Sequence, residues 1–231
     1  MGVIGAVASL IVAVVSLTGI GLVISNVLLS IAGGSLGLLL VLTALASIIL
    51  GMSMPVTASY IILAVLAAPA LTEASVDPMA AHLFIFYFAI LSFLTPPVCV
   101  AVYFASTIAR AKPMESAMHA MKLAVVAYIV PFVFVFDGGL LMNGSPGDIA
   151  LAFVSAIVGF VGIGIALQGH FFNAVPLWLR AVVGVAGIAC LITVLPVKAA
   201  GMVVVVLFLV WQWYLGRQER LSAAAASRQQ V

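Results

Sequence analysis

No charged side chain occurs before Glu73. A water-soluble domain carries roughly one charged residue in four, so a stretch of this length without charge cannot form a hydrated surface. The rest of the chain is similar: of 231 residues, 66% are hydrophobic and only 6% charged, with mean hydropathy +1.42. The chain reads as an all-α polytopic membrane protein built from apolar runs near the ~20 residues that a spanning helix needs. The first run has no basic flank and no small-residue cleavage boundary, so it reads as a retained span rather than a signal peptide.

Composition also excludes several functions. The net charge is +2, with no basic run interleaved with aromatics, so nucleic-acid binding is not expected. Cys99 and Cys190 stand far apart in apolar sequence, without metal-ligand spacing. They read as two small buried side chains. No H-E-x-x-H, G-x-S-x-G or phosphate-loop pattern is present. The six acids lie in or near expected loops. An enzyme, a metal centre and an organic cofactor are therefore not expected.

Along the chain, residues 3–24 fit one span, and the more polar residues 25–35 fit an interfacial turn. Residues 36–50 and 59–72 are apolar but short, and they flank Gly51-Met52-Ser53-Met54-Pro55-Val56-Thr57-Ala58-Ser59. Two short arms around a Gly/Pro tip predict a re-entrant hairpin over 36–72. Residues 79–109 are too long for one simple span and contain Thr95-Pro96-Pro97, which predicts two half-helices. Further spans are expected at 120–136, 149–168, 177–197 and 200–216, with a polar, frayed tail over 218–231. Residues 1–142 form one region; 143–217 read as accessory helices, with a belt of Trp211, Trp213 and Tyr214 before Arg217.

Basic residues set the orientation. Arg110, Lys112 and Lys122 fall in one expected loop, and Arg217, Arg220 and Arg228 in the tail; both face the cytoplasm if Glu73 and Asp77, and Asp137 and Asp148, lie outside. Lys198 is the exception, in a short external turn. The hairpin 36–72 then opens outward.

Irregular backbone at membrane depth must be packed in protein or line a polar cavity. Paired breaks of this kind point to a transporter's binding site. A half-helix ending at residue 50 presents carbonyls that suit a cation, and one starting near 56 presents amides that suit an anion. Thr57, Ser59 and Thr95 add hydroxyls. Pro96 and Pro97 lack N–H groups, which leaves carbonyls one turn earlier without helical partners. With the carbonyls of Leu94 and Thr95, these make a neutral oxygen set suited to Na⁺, for which Gly51, Thr57 and Thr95 are the candidate ligands. Met52 and Met54 read as packing side chains whose backbone matters more than their sulfur.

Asp137 follows an apolar span and precedes a Gly pair. The glycines mark a helix end and favour an interfacial carboxylate; an intramembrane acid there would be a proton-relay candidate. His82, ahead of Phe84, Phe86, Tyr87 and Phe88, reads as a packed side chain. His119 and His170 lie in expected loops, and Glu115 and Lys122 read as a solvated face.

The run from Gly51 to Tyr60 resembles the G-M-G-x-P-T-T-A-A-Y segment of the large, DctM-like permease subunit of TRAP (tripartite ATP-independent periplasmic) transporters. The runs Ala81-His82-Leu83-Phe84-Ile85-Phe86-Tyr87-Phe88 and Leu94-Thr95-Pro96-Pro97-Val98 resemble the same family's A-H-x-F-x-F-Y-F … T-P-P-V segment. Ile129-Val130-Pro131-Phe132 and Phe136-Asp137 also fit. The resemblance covers residues 1–140 well and the later spans loosely. It implies the fused-permease type that works with TAXI-type binding proteins, and an elevator-type fold with two inverted repeats. Na⁺ would drive uptake of C4-dicarboxylates or related carboxylates, delivered by a periplasmic binding protein across the bacterial inner membrane. Gly51, Met52, Ser53, Thr57, Ser59, Leu94, Thr95, Pro96 and Pro97 would form half of the ion and substrate site.

Three departures stand out. Only the second repeat is recognised, so the remaining N-terminal half of the permease is an expected partner. Ser53 replaces the usual glycine at the tip, and Val56 replaces the first threonine. The alternatives are an H⁺-coupled elevator transporter and a non-transporting membrane scaffold or degenerate fragment.

Overall fold

The structure, a computed structural model, describes residues 2–52, 54–171 and 175–228. Ser53, at the expected hairpin tip, lies outside the described residues. The fold is all-α, and the chain divides into two compact units, Met1–Leu141 and Met142–Val231.

The first unit contains α1 (Gly2–Thr18), α2 (Ile20–Ala32), α3 (Leu36–Gly51), α4 (Val56–Leu66), α5 (Ala68–Glu73), α6 (Pro78–Leu91), α7 (Val100–Ala109), α8 (Pro113–Leu123) and α9 (Val125–Phe136). Its core is built around α6, where Phe84, Ile85 and Phe88 meet Leu39 and Leu40 of α3 and Leu63 of α4. On its other side, Phe132 of α9 packs edge-on against Phe84 and Phe88, with ring centroids 5.3 and 5.7 Å apart. Local chemistry starts these helices. Ser35 accepts the Leu38 N–H at the start of α3. Asp77 accepts the N–H groups of Met79 and Ala80 at 2.9 and 3.2 Å, and Pro78 occupies the first turn of α6.

Helix lengths are short for a membrane. At 1.5 Å per residue, α3 reaches ~24 Å and α4 ~16 Å, against a hydrocarbon core of ~30 Å. By length and composition, two described helices can cross a bilayer, Pro146–Gln168 and Leu195–Tyr214, or up to four if two bent pairs each count as one span. Large apolar side chains such as Leu17, Ile108 and Leu177 are at least three-quarters exposed, a surface suited to lipid and not to water.

Several expected boundaries are corrected. The single span 3–24 is divided at Gly19, whose φ of 67° is left-handed. The expected turn 25–35 is mostly helix α2, which ends at Gly33. Its polarity is absorbed by hydrogen bonding: Ser30 Oγ donates to the Val27 carbonyl, and Ser25 Oγ to the Leu66 carbonyl of α4. The expected loop 110–122 contains α8, with Pro113 and Glu115 in its first turn and Lys122 in its last, charges matched to the helix dipole. Consequently the span expected at 120–136 begins only at Val125, where α9 bends 43° from α8.

The second unit is a bundle of α10 (Pro146–Gln168), α11 (Leu177–Leu191) and α12 (Leu195–Arg228). Ser145 and Asp148 form a reciprocal capping box at the start of α10. Its end is held by Arg180, whose guanidinium donates to the carbonyls of Ala166 and Leu167 at 2.8 and 3.0 Å. Backbone contact is close: a Cβ on Gly159 would lie 2.8 Å from the Gly187 carbonyl, and one on Gly201 2.6 Å from the Ala186 carbonyl. Small residues therefore set how near the helices approach. The span expected at 177–197 ends at Leu191, and Lys198 is buried in the first turn of α12 instead of lying in a turn. The tail expected to be frayed is helical through Arg228, in keeping with its alanine content.

Candidate functional site

The first break separates α3 from α4. Helix α3 ends at Gly51, and Met52 donates its N–H to the Ile48 carbonyl. Pro55 precedes α4 in an extended conformation, with φ −56° and ψ 146°. Helix α4 therefore starts without a side-chain cap. The Ser59 N–H reaches the Pro55 carbonyl at 3.0 Å; the amides of residues 56–58 precede the first intrahelical bond.

The second break runs from Ser92 to Cys99, between α6 and α7. The Pro96-Pro97 peptide is cis, and Cys99 has φ 24°. The carbonyls that the prolines deprive of helical partners are not left open here. The Ser92 carbonyl accepts from the Thr95 N–H at 3.2 Å, and the Phe93 carbonyl from the Ala101 N–H at 3.3 Å. The Thr95 carbonyl accepts from the Cys99 N–H at 3.2 Å. Among the described residues, no backbone donor reaches the Leu94 carbonyl. Of the two carbonyls expected to be available, Leu94 is open and Thr95 is taken.

The two breaks touch. A Cβ on Gly51 would lie 2.7 Å from Ser92 Oγ and 3.0 Å from the Ala89 carbonyl. Only glycine allows this approach without a shift in α6. Helices α3 and α6 thus end side by side, and their carbonyl ends, each with about half a negative charge, converge on one place.

Hydroxyl groups line these elements unevenly. Thr57 is exposed in the first turn of α4, and no hydrogen bond joins it to Thr95. Ser59 is fully buried, and so are Thr43 and Ser47 one turn apart on α3. Among the described residues, no partner reaches any of these three side-chain oxygens. A hydroxyl buried without a hydrogen bond is costly, and serines and threonines elsewhere in the chain avoid this by bonding a carbonyl. Thr95 Oγ1 contacts the Leu91 carbonyl at 2.8 Å and the Tyr128 hydroxyl at 2.7 Å. Met52 and Pro96 are half-buried and Pro97 is exposed.

Tyr60 of α4 places its hydroxyl 3.2 Å from His82 Nδ1 of α6, so His82 packs against the hairpin arm. Asp137 caps α9 and is buried, with Oδ1 accepting the Gly139 N–H at 3.1 Å. Lys112 and Glu115 form an exposed ion pair at 2.9 Å. Both cysteines are buried and free, one in each unit. Among the described residues no group of three or more His, Cys, Asp or Glu is placed to hold a metal ion.

Sequence reasoning missed Ser92, Tyr128, Thr43 and Ser47. The first stands three residues before Thr95, where a small residue opposite a glycine is a weak signal of close approach. The other three read as ordinary members of apolar helices.

A family model describing the DctM component of the tripartite ATP-independent periplasmic transporters matches residues 1–146, more than half of the chain. No curated protein and no solved structure matches it. The match spans the unit that carries both breaks. The chain belongs to this family of transporter permeases and is a multi-pass membrane protein.

Proposed function

We propose that this TRAP permease component forms half of a Na⁺ and organic-anion site at the meeting of its two breaks. The observation that carries the reading is the contact of Gly51 with Ser92 and Ala89, which brings two helix carbonyl ends together. Convergent carbonyl ends favour a cation. The open Leu94 carbonyl and the Thr95 hydroxyl add hard, neutral oxygens, which suit Na⁺. Gly51 contributes through its backbone, and Thr57 contributes from the tip when the site closes. The uncapped amides at the start of α4 favour a carboxylate. Thr43, Ser47 and Ser59 supply further oxygens without a competing partner.

In this reading the hairpin 36–72 and the broken helix 79–109 belong to one of two inverted repeats of an elevator-type carrier. A matching repeat from the N-terminal half of the permease completes the site. The carrier takes up C4-dicarboxylates or related carboxylates from a TAXI-type periplasmic binding protein, across the bacterial inner membrane, with the C-terminal end of α12 in the cytoplasm. Residues 143–217 are accessory to transport.

The test is uptake of radiolabelled succinate and related carboxylates by proteoliposomes holding the assembled transporter and its binding protein. An inward Na⁺ gradient should drive uptake, and Thr57→Val combined with Thr95→Val should abolish it. Uptake indifferent to Na⁺ would sink the coupling, and normal uptake by the double variant would sink the site. The burial of Asp137 favours a second reading, coupling to H⁺. Uptake driven by a proton gradient alone and lost in Asp137→Asn would establish it in place of Na⁺.

A further inference from the structure

We infer that Tyr128 is a positioning residue that sets the direction of the Thr95 hydroxyl; this rests on the Na⁺-site reading above. Tyr128 lies on α9, 33 residues beyond Thr95, and its hydroxyl is 2.7 Å from Thr95 Oγ1. The same Oγ1 is 2.8 Å from the Leu91 carbonyl. A carbonyl only accepts, and a threonine hydroxyl has one proton and two lone pairs. The proton of Thr95 therefore goes to Leu91. The contact with Tyr128 must then take its proton from the phenol. Thr95 Oγ1 is left with one lone pair, its direction held from two helices.

This distinguishes Thr95 from the other hydroxyls near the breaks. Ser92, Ser106 and Thr107 each bond a carbonyl of their own helix or its cap. Among the described residues, no second helix bonds these hydroxyls. Thr95 is bonded by a second helix, and α9 is itself fixed on α6: Phe132, one turn after Tyr128, packs against Phe84 and Phe88. The Leu91 carbonyl is occupied by this bond and by the Leu94 N–H at 3.0 Å. Next to one another in the chain, the Leu94 carbonyl has no backbone donor among the described residues and Thr95 Oγ1 keeps one lone pair. Tyr128 keeps these two oxygens in register for one cation.

The test is a titration of the assembled, detergent-solubilised transporter with Na⁺, replaced by choline to hold ionic strength constant, read as the shift in thermal midpoint. Tyr128→Phe keeps the ring and removes the donor. Its half-saturating Na⁺ should rise roughly two- to tenfold, the range for one neutral hydrogen bond. Thr95→Ser should titrate like the wild type, and Thr95→Val should lose the saturable response. Added to Thr95→Val, Tyr128→Phe should change nothing further. If Thr95→Val loses the response while Tyr128→Phe titrates like the wild type, the positioning role is overturned and the site reading stands. A wild type without a saturable Na⁺ response overturns the site reading, and this inference with it. Should Tyr128→Phe not fold, the wild type labelled with isotopic tyrosine decides. The Tyr128 ring resonance should move when Na⁺ draws on its acceptor, and a resonance that stays in place overturns the role.

Discussion

The two units use glycine and small polar residues in opposite ways. In Met142–Val231, Gly159, Gly187 and Gly201 let continuous helices touch along their backbones. In Met1–Leu141, Gly51 lets the end of one helix meet the end of another. The polar groups follow the same division. The bundle satisfies its helix ends, through the Ser145 and Asp148 box and the Arg180 bonds. Among the described residues the first unit holds three buried hydroxyls with no partner and a carbonyl with no backbone donor, whereas the bundle holds one such side-chain oxygen, Gln212 Oε1. Packing explains the glycine contacts of the bundle. The first unit leaves buried oxygens unsatisfied, a state that persists at functional sites because a ligand or motion uses it.

Glycine substitutions in the two units should fail differently. Gly201→Leu should disrupt the bundle most severely, by about 3 kcal/mol or more, because the Ala186 carbonyl cannot withdraw. Thermal unfolding in detergent measures it, and an unchanged midpoint would contradict the close backbone packing. Gly51→Ala should leave the protein folded yet lower uptake on the order of a hundredfold, the effect of displacing a positioned group by about 1 Å. Ser92→Gly in the same chain should restore part of that loss, since Ser92 is the nearest obstruction. Equal loss in the single and double variants would show that contact between the breaks is not what matters.

Thr95→Val comes next. It removes both bonds of Oγ1 and leaves the Tyr128 hydroxyl without its acceptor. Saturable Na⁺ dependence should be lost, measured by uptake against Na⁺ concentration. Tyr60→Phe removes one hydrogen bond between α4 and α6 and should lower stability by about 1 kcal/mol without changing the coupling ion. A change in ion dependence there would extend the site to the hairpin arm. At the small end, Lys112→Ala opens an exposed ion pair and should alter neither stability nor uptake measurably, as is usual for such pairs.

Much of the fold is legible along the chain. The short arms, the stops near Gly51 and Thr95 and the restart after Pro55 all follow from residues acting on their own backbone. The errors came where one polarity has two meanings. Ser25 and Ser30 read as a turn, yet each bonds a carbonyl and stays helical. The charges of 110–122 read as a loop, yet they flank an eleven-residue helix with its dipole matched. Polar character shows that a group needs a partner but not which partner it finds.

The candidate site divides along the same line. The sequence by itself determined that this is a membrane protein and where its helices break, because missing charge, proline geometry and glycine freedom are local properties. Its motifs pointed to the permease family that the comparison with residues 1–146 then showed. Only the tertiary structure decided that the breaks meet, at Gly51 and Ser92, and that Tyr128 reaches Thr95. It also decided which hydroxyls remain without partners. Those facts depend on residues 33 to 41 positions apart, and only the packing of α3, α6 and α9 brings such residues together.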